Sequence, residues 1–373
     1  MNKNLIFFLI VIGIFAAGLG YRYLSVSGVA QKIYVAVEGD GKIAVIDQNT
    51  RKVIRNIDLS TDHEGGKLFF APHNVQVSPD QKSVWVTANV GDHQDHAAFF
   101  VEQVLAHGEE EEETIGEPDE VIVINPENDR IVKRIQIKAG IHLAHVVLTP
   151  DSKLAYATAQ EESVIYKIDA LTYEIVKRIE AAEKSEPHGI RISSDGLFLY
   201  AAMLAGKSLG IVDLKTDTFS EIPLGGQAVQ TGVTPDGKFV VVSLYDTKQL
   251  AVYSVETKSL SFVKLPESSM GPIQMYPTPD SKFIYLADQG YYFEQPSSQW
   301  VYKIELASGR VVKEVKAGSA PHGVVVSNDG NFVYVTNLLS DDVSVIDTAK
   351  DEEVGRIKVG KFPNGISTWT KNK

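Results

Sequence analysis

The chain has 373 residues, a formal net charge of −12 and 44% hydrophobic residues, enough apolar material for a large buried core. It contains no cysteine, which excludes disulfides, thiolate metal ligands, a lipid-modified N-terminal cysteine, a thiol nucleophile and covalently attached c-type haem. Its acidity disfavours binding to nucleic acid or to an anionic membrane surface and favours cations.

The N-terminus has a composition of its own. Residues 5–20 form an uninterrupted apolar run that follows Asn2-Lys3-Asn4. This run is short for a bilayer span but suits the central region of a signal peptide. We therefore expect residues 1–30 to be a signal peptide or, alternatively, an N-terminal membrane anchor. Either would place the rest of the chain in the periplasm or elsewhere in the cell envelope.

From residue 33 to residue 369 the chain repeats one pattern seven times. Each copy has four short β-branched runs separated by turns, which predicts a four-stranded antiparallel blade. The first hairpin turn of six copies contains an aspartate, to which we assign a turn role: Asp80, Asp151, Asp195, Asp236, Asp280 and Asp329. The first copy lacks its first strand, and residues 362–369 supply one, which removes the open sheet edges. The sequence thus predicts an all-β seven-bladed β-propeller over residues 31–373.

The second strand of the seventh copy reads Tyr334-Val-Thr-Asn337. This segment resembles the signature of the YVTN-type β-propeller repeats, and the pattern is also similar to the propellers of cytochrome d1 haem domains and of the nitrous oxide reductase N-terminal domain. The resemblance extends over residues 33–369 and implies the fold. It also implies, as an expectation, that histidines at one end hold copper or haem, although such propellers host unrelated functions.

A long connection in the second blade, residues 91–120, interrupts the repeat with eleven Asp or Glu residues and no Lys or Arg. Imidazoles three residues apart can reach one ion, with carboxylates beside them, and such ligands suit Zn²⁺, Cu²⁺ or Ni²⁺. The alternatives are a solvated acidic loop and a docking arm for a cationic envelope protein. The metal ligands predicted here, with one histidine from a neighbouring loop, are His93, His96, His107, Asp92, Asp95 and His63.

A second group of polar residues surrounds the predicted channel mouth. The first strand of each blade is innermost, so its first residues ring the axis and could hold a metal ion, a haem or a small polar ligand. For His73, His188 and His322 the alternative is a bond from the imidazole to the backbone of a neighbouring blade, and nearby aromatic residues 291–293 predict either a partner surface or a lid. The group comprises His73, His142, His145, His188, His322, Gln230, Gln274 and Asn364.

Catalytic motifs are sparse in the sequence: it has no H-E-x-x-H, Walker A or GxGxxG pattern. We therefore expect an exported, non-catalytic protein that binds a transition-metal ion, Cu, Zn or Ni, or a small ligand. One alternative is a redox or cofactor-binding propeller with copper or noncovalent haem at the mouth. The other is a protein-interaction scaffold.

Overall fold

The computed structural model describes residues 29–64, 66–91 and 116–371. Seven four-stranded antiparallel sheets follow one another around an axis, so the predicted seven-bladed propeller is confirmed. Within the described ranges no helix is long and apolar enough to cross a bilayer. Residues 1–28, on which the prediction of a signal peptide or anchor rests, lie outside those ranges.

The strands are numbered in chain order. The first blade and the hairpin after it contain β1 (Gln31–Val37), β2 (Lys42–Asp47), β3 (Lys52–Asp58), β4 (Thr61–His63) and β5 (Gly66–Leu68). The second, third and fourth blades contain β6 (Phe70–Val77), β7 (Val84–Val90), β8 (Glu120–Asn125), β9 (Arg130–Gln136), β10 (Leu143–Leu148), β11 (Leu154–Ala159), β12 (Val164–Asp169), β13 (Ile175–Glu180), β14 (Pro187–Ile192), β15 (Phe198–Met203), β16 (Ser208–Asp213) and β17 (Thr218–Pro223). The remaining strands are β18 (Ala228–Val233), β19 (Phe239–Leu244), β20 (Gln249–Ser254), β21 (Leu260–Lys264), β22 (Pro272–Pro277), β23 (Phe283–Gly290), β24 (Ser297–Glu305), β25 (Arg310–Lys316), β26 (Pro321–Val326), β27 (Phe332–Asn337), β28 (Asp342–Asp347), β29 (Glu352–Lys358) and β30 (Pro363–Thr370). Two single-turn 3₁₀ helices span Glu38–Asp40 and Tyr292–Glu294.

The C-terminal strand closes the ring. β30 pairs antiparallel with β1, from Gln31 opposite Thr370 to Val37 opposite Pro363, and becomes the innermost strand of the first blade. It also contacts the innermost strands of the neighbouring blades, β26 and β6. Every innermost strand therefore packs between the innermost strands of two neighbouring blades, so the ring is continuous and each sheet keeps only a short, protected edge at the channel.

The core is divided into seven apolar layers, each between two adjacent blades. Strands in the interior of a blade are buried on both faces, so β1, the second strand of the first blade, reads as a continuous apolar run, Ile33-Tyr-Val-Ala-Val37. Outer strands have one face in water, so β3 alternates between exposed and half-buried residues. The sequence difference between the two kinds of strand follows from their distance to the axis.

The turn aspartates have the structural role predicted for them. Asp80 Oδ1 accepts a hydrogen bond from Ser78 Oγ at 2.7 Å and another from the Lys82 N–H at 3.1 Å. The other five copies repeat this pair of contacts with the corresponding Ser or Thr and backbone N–H. These carboxylates close the hairpin through local side-chain-to-backbone bonds.

Each innermost strand carries a β-bulge near its start. One extra residue lies opposite the second strand in all seven blades, as between Leu143 and Val146. In four blades a hydroxyl from the second strand fills the interruption: Thr336 Oγ1 accepts from the Gly323 N–H at 2.7 Å and donates to the Asn364 carbonyl of the next blade at 2.7 Å. The bulge redirects the side chains at the start of the strand, and those side chains form the channel mouth.

Replacing Thr336 with valine preserves the shape of the side chain but removes this bridge. The buried Gly323 N–H and Asn364 carbonyl then lose a partner, so we expect the free energy of unfolding to fall by about 2–3 kcal/mol. Urea denaturation measures the change. The matched control is T257V, in an exposed turn, which should cost less than about 0.5 kcal/mol. Equal stability of T336V and T257V would contradict the bridging role.

Candidate functional site

Three histidines on consecutive blades meet at the mouth of the channel. His73, His145 and His188 start from β6, β10 and β14, and one nitrogen of each lies within 4.8 Å of the others. Their ring centroids are 5.1–5.8 Å apart. All three side chains are buried, none with more than 2% of its surface exposed. We call these three residues the histidine triad.

His188 is oriented by the neighbouring blade. Its Nδ1 lies 2.8 Å from the Val229 carbonyl oxygen, which can only accept, so Nδ1 carries the proton and Nε2 presents a lone pair. A bond from the imidazole to the backbone of a neighbouring blade was the alternative to a ligand role that the sequence offered for His188. The contact occupies one nitrogen and leaves the other for a ligand, so the two roles are compatible.

His73 has a polar partner on each side of its Nδ1. Asn364 Nδ2 lies 3.2 Å from that atom and also donates to Glu38 Oε2 at 2.9 Å. Glu38 Oε1 lies 3.7 Å from the same Nδ1. On the far side of the rings, Nε2 of His73 and Nε2 of His145 are buried and have no hydrogen-bond partner among the described residues. Buried polar atoms of this kind require an explanation.

Burial keeps His145 and His188 neutral. Loss of hydration, followed by repulsion from His73, lowers the pKa of His188 to about 3. Loss of hydration also lowers the pKa of His145 well below its usual range, with smaller contributions from His188, His73 and Arg191. Neutral imidazole is the form that ligates metals.

The opposite side of the mouth is built around His322. Gln289 Nε2 lies 2.9 Å from His322 Nδ1, and the Tyr292 ring stands edge-on at 6.2 Å between centroids. A small cavity of about 10 Å³ separates His322 from His73 and His188. This volume is close to the minimum that holds one water molecule.

The aromatic loop forms a lid over this cavity, the second of the two predicted roles. Tyr292 is buried, and its carbonyl accepts a hydrogen bond from the Tyr245 hydroxyl at 2.7 Å. Tyr291, Phe293 and Glu294 adopt positive φ values of 68°, 51° and 61°, a conformation that is costly for residues other than glycine. Packing on the rim therefore holds a strained segment in place.

The structure gathers the predicted mouth residues, all of them buried. His142 stacks edge-on against His73 at 5.4 Å, and Gln230 Nε2 lies 3.5 Å from His145 Nδ1. Gln274 Nε2 is buried without a partner among the described residues.

The second predicted ligand group is placed only in part. His63 lies apart from the mouth, on the exposed β4–β5 hairpin, 3.5 Å from Glu117. The remaining residues of that prediction, His93, His96, His107, Asp92 and Asp95, lie outside the described residues.

The sequence analysis missed a second ring at the mouth. The residue that follows each four-residue pattern of the type Tyr334-Val-Thr-Asn337 ends beside the start of an inner strand. Glu38 and Gln289 occupy this position and contact His73 and His322, while Leu204, Tyr245 and Leu338 pack in the apolar cluster around Tyr292. Aligning the copies one residue past the pattern would have identified them. The ring comprises Glu38, Asn89, Gln160, Leu204, Tyr245, Gln289 and Leu338.

Acid should destabilise the protein through its buried histidines. Loss of hydration lowers the pKa of His322 from 6.5 to about 3. Between these values the unfolded chain binds a proton that the folded chain does not, so the free energy of unfolding falls as pH falls. The free energy of unfolding, measured with urea in the presence of EDTA, should fall between pH 6 and pH 5 in both proteins. The fall should be about 1 kcal/mol smaller in H322L than in wild type. Parallel wild-type and H322L values would contradict this account.

Sequence comparisons place the chain among propellers without an assigned role. A family profile described as "YNCE-like beta-propeller" matches residues 115–373. The uncharacterized protein YncE of Salmonella typhimurium is 26% identical over 180 residues, 48% of this chain and 40% of the relative. An uncharacterized protein of Staphylococcus saprophyticus is 22% identical over 171 residues, 40% of this chain and 49% of that protein. The chain thus aligns with less than half the length of these curated relatives.

Structural comparisons support the fold alone. A functionally unknown protein from Desulfotomaculum acetoxidans superposes with a TM-score of 0.68 and 13% identity, covering 91% of this chain and 99% of that one. Hydrazine synthase of Kuenenia stuttgartiensis gives 0.64 and 18% identity, covering 84% and 95%. Virginiamycin B lyase of Staphylococcus aureus gives 0.60 and 14%, covering 80% and 91%. The names of the hydrazine synthase and the lyase show that one architecture accommodates different functions.

Proposed function

The chain belongs to the YNCE-like β-propeller family, and from that premise and the geometry of its mouth we propose that it is an exported propeller that binds one transition-metal ion through His73, His145 and His188. The observation that carries the proposal is the approach of three buried imidazole nitrogens to within 4.8 Å of one another. Isolated buried histidines satisfy both ring nitrogens with protein or water, whereas in the part of the chain that the structure describes Nε2 of His73 and of His145 has no partner.

The chemistry of the site favours a borderline metal. Nitrogens about 2.0–2.1 Å from one ion stand at most about 4.2 Å apart, so small rotations of the three rings complete the coordination. Imidazole ligands suit Zn²⁺, Cu²⁺ and Ni²⁺ and are a poor match for Ca²⁺ or Mg²⁺. A haem does not fit the cavity of about 10 Å³ beneath Tyr292, and would need the lid to leave the rim.

Glu38 provides the negative charge that three neutral imidazoles lack. For Nε2 of His73 to bind an ion, its proton would have to move to Nδ1; Glu38 Oε1, now 3.7 Å away, would then move closer as the acceptor, and the Asn364 amide, now 3.2 Å away, would turn aside. Asn364 holds the other carboxylate oxygen at 2.9 Å. A carboxylate that accepts from a ligating histidine fixes the ring and strengthens the ligand.

Metal content of the purified protein tests the proposal. The untagged wild-type protein, incubated with excess Zn²⁺ or Cu²⁺ and desalted, should retain about one ion per chain by mass spectrometry. H145A should retain none, because two imidazoles alone bind too weakly to survive desalting. H63A is the matched control, since His63 is exposed, pairs with Glu117 and is not one of the three clustered histidines, and should retain the ion. Equal retention by H145A and wild type would exclude the triad.

Replacing Glu38 with glutamine should weaken the site without removing it. The amide keeps the size of the carboxylate but no longer neutralises the charge, so we expect the metal dissociation constant to rise 10- to 100-fold. Competition with a chromophoric chelator measures it. The control is E117Q, which changes a carboxylate beside His63 instead of His73. A dissociation constant unchanged in E38Q would show that Glu38 takes no part.

The acidic insert and export remain proposals of their own. The insert carries eleven of the acidic side chains and supports either a second ion site or a docking arm for a cationic envelope protein. Deleting residues 92–115 distinguishes the two roles. Loss of a second bound metal ion favours the ion site, and loss of a protein partner whose binding weakens with salt favours the docking arm.

Export is supported by the apolar run at residues 5–20. Protection of the protein from protease in spheroplasts would count against export.

A further inference from the structure

We propose that His322 binds a water-sized Lewis base, a water molecule, a hydroxide or a monatomic anion, which fills the cavity next to the histidine triad and completes the coordination of the ion. This inference rests on the proposed metal site. It assigns to His322 a role distinct from that of the triad: the residue contacts the ligand of the ion and not the ion itself.

The first argument is the hydrogen-bonding state of His322. Gln289 Nε2 is a donor and lies 2.9 Å from His322 Nδ1, so Nδ1 accepts and the neutral ring carries its proton on Nε2. That Nε2–H is buried and has no acceptor among the described residues. The side chain is 2% exposed, so leaving this donor unpaired is costly. A ligand atom with a lone pair satisfies it.

The second argument is the position of the cavity. Its wall contains His322 on one side and two members of the triad, His73 and His188, on another. An ion on the triad has its fourth coordination position open, because three protein ligands leave a tetrahedral site incomplete. A Lewis base in this cavity would therefore contact both the ion and the donor.

The third argument is the size and polarity of the space. The cavity of about 10 Å³ holds one water-sized atom group. The rest of its wall is apolar or aromatic, from Val229, Ile273 and Leu204 to the lid residue Tyr292. Such a wall offers no hydrogen-bond partners to a larger polar ligand. The cavity therefore favours a small ligand with one atom that accepts the hydrogen bond from His322.

The experiment uses the full chain loaded with Cu²⁺ and fluoride as the probe, because fluoride is monatomic, accepts hydrogen bonds and has a nuclear spin. In wild type, electron paramagnetic resonance should show fluorine splitting of the copper signal, and titration should give a fluoride dissociation constant. H322L keeps an apolar side chain in place but lacks the donor, and should weaken fluoride binding at least tenfold while the triad still retains about one copper ion per chain. H322Q retains an N–H donor and should restore part of the fluoride affinity.

The outcomes separate this inference from the proposal beneath it. Copper binding with the same fluoride affinity in wild type and H322L, or copper binding without fluorine splitting, overturns the role of His322 and leaves the triad intact. Loss of copper in a folded H322L or H322Q makes His322 a ligand of the ion and also overturns the assignment. Failure of wild type to bind copper, zinc or nickel removes the metal site and this inference together. Circular dichroism and thermal unfolding establish that each variant is folded.

Discussion

The interruption of hydrogen bonding at the start of each inner strand is the constraint on which the mouth depends. One extra residue in each of the seven inner strands breaks the ladder, and four hydroxyls repair it while joining one blade to the next. Thr158 illustrates the effect at the triad: its Oγ1 accepts from the His145 N–H at 2.9 Å and donates to the His188 carbonyl at 2.8 Å. A bond made for blade packing thereby fixes the backbones of two triad histidines relative to each other.

Rigidity at the backbone allows the side chains to be held in a costly state. Burial opposes protonation of His188 and His322, so the folded chain keeps both residues neutral. As a result the free energy of unfolding falls at acid pH. In return the mouth presents lone pairs and N–H groups that do not have to be deprotonated or desolvated when a ligand arrives. Preorganisation of this kind supports binding more directly than it supports any particular reaction.

Much of the architecture follows from sequence periodicity. The Tyr334-Val-Thr-Asn337 pattern predicts strand and turn positions because every blade packs between two blades of the same architecture. The strand missing from the first copy predicts closure of the ring by β30. The ring of mouth histidines is predictable for the same reason. Their division into a triad and a separate His322 follows from blade order. The nitrogens that approach one another are not predictable, because they depend on side-chain contacts across blades such as that of His188 with the Val229 carbonyl. Glu38 and Gln289 were missed because the residue after the pattern differs in type from blade to blade, so only its position, and not its chemistry, recurs.

The central claim is that His73, His145 and His188 bind one ion together. X-ray absorption spectroscopy of the protein loaded with one equivalent of Zn²⁺ counts the imidazoles on the metal directly. The account predicts about three nitrogen ligands near 2.0 Å with the multiple-scattering pattern of imidazole, and fewer in H145A. A zinc ion surrounded by oxygen ligands without imidazole scattering, unchanged in H145A, would contradict it.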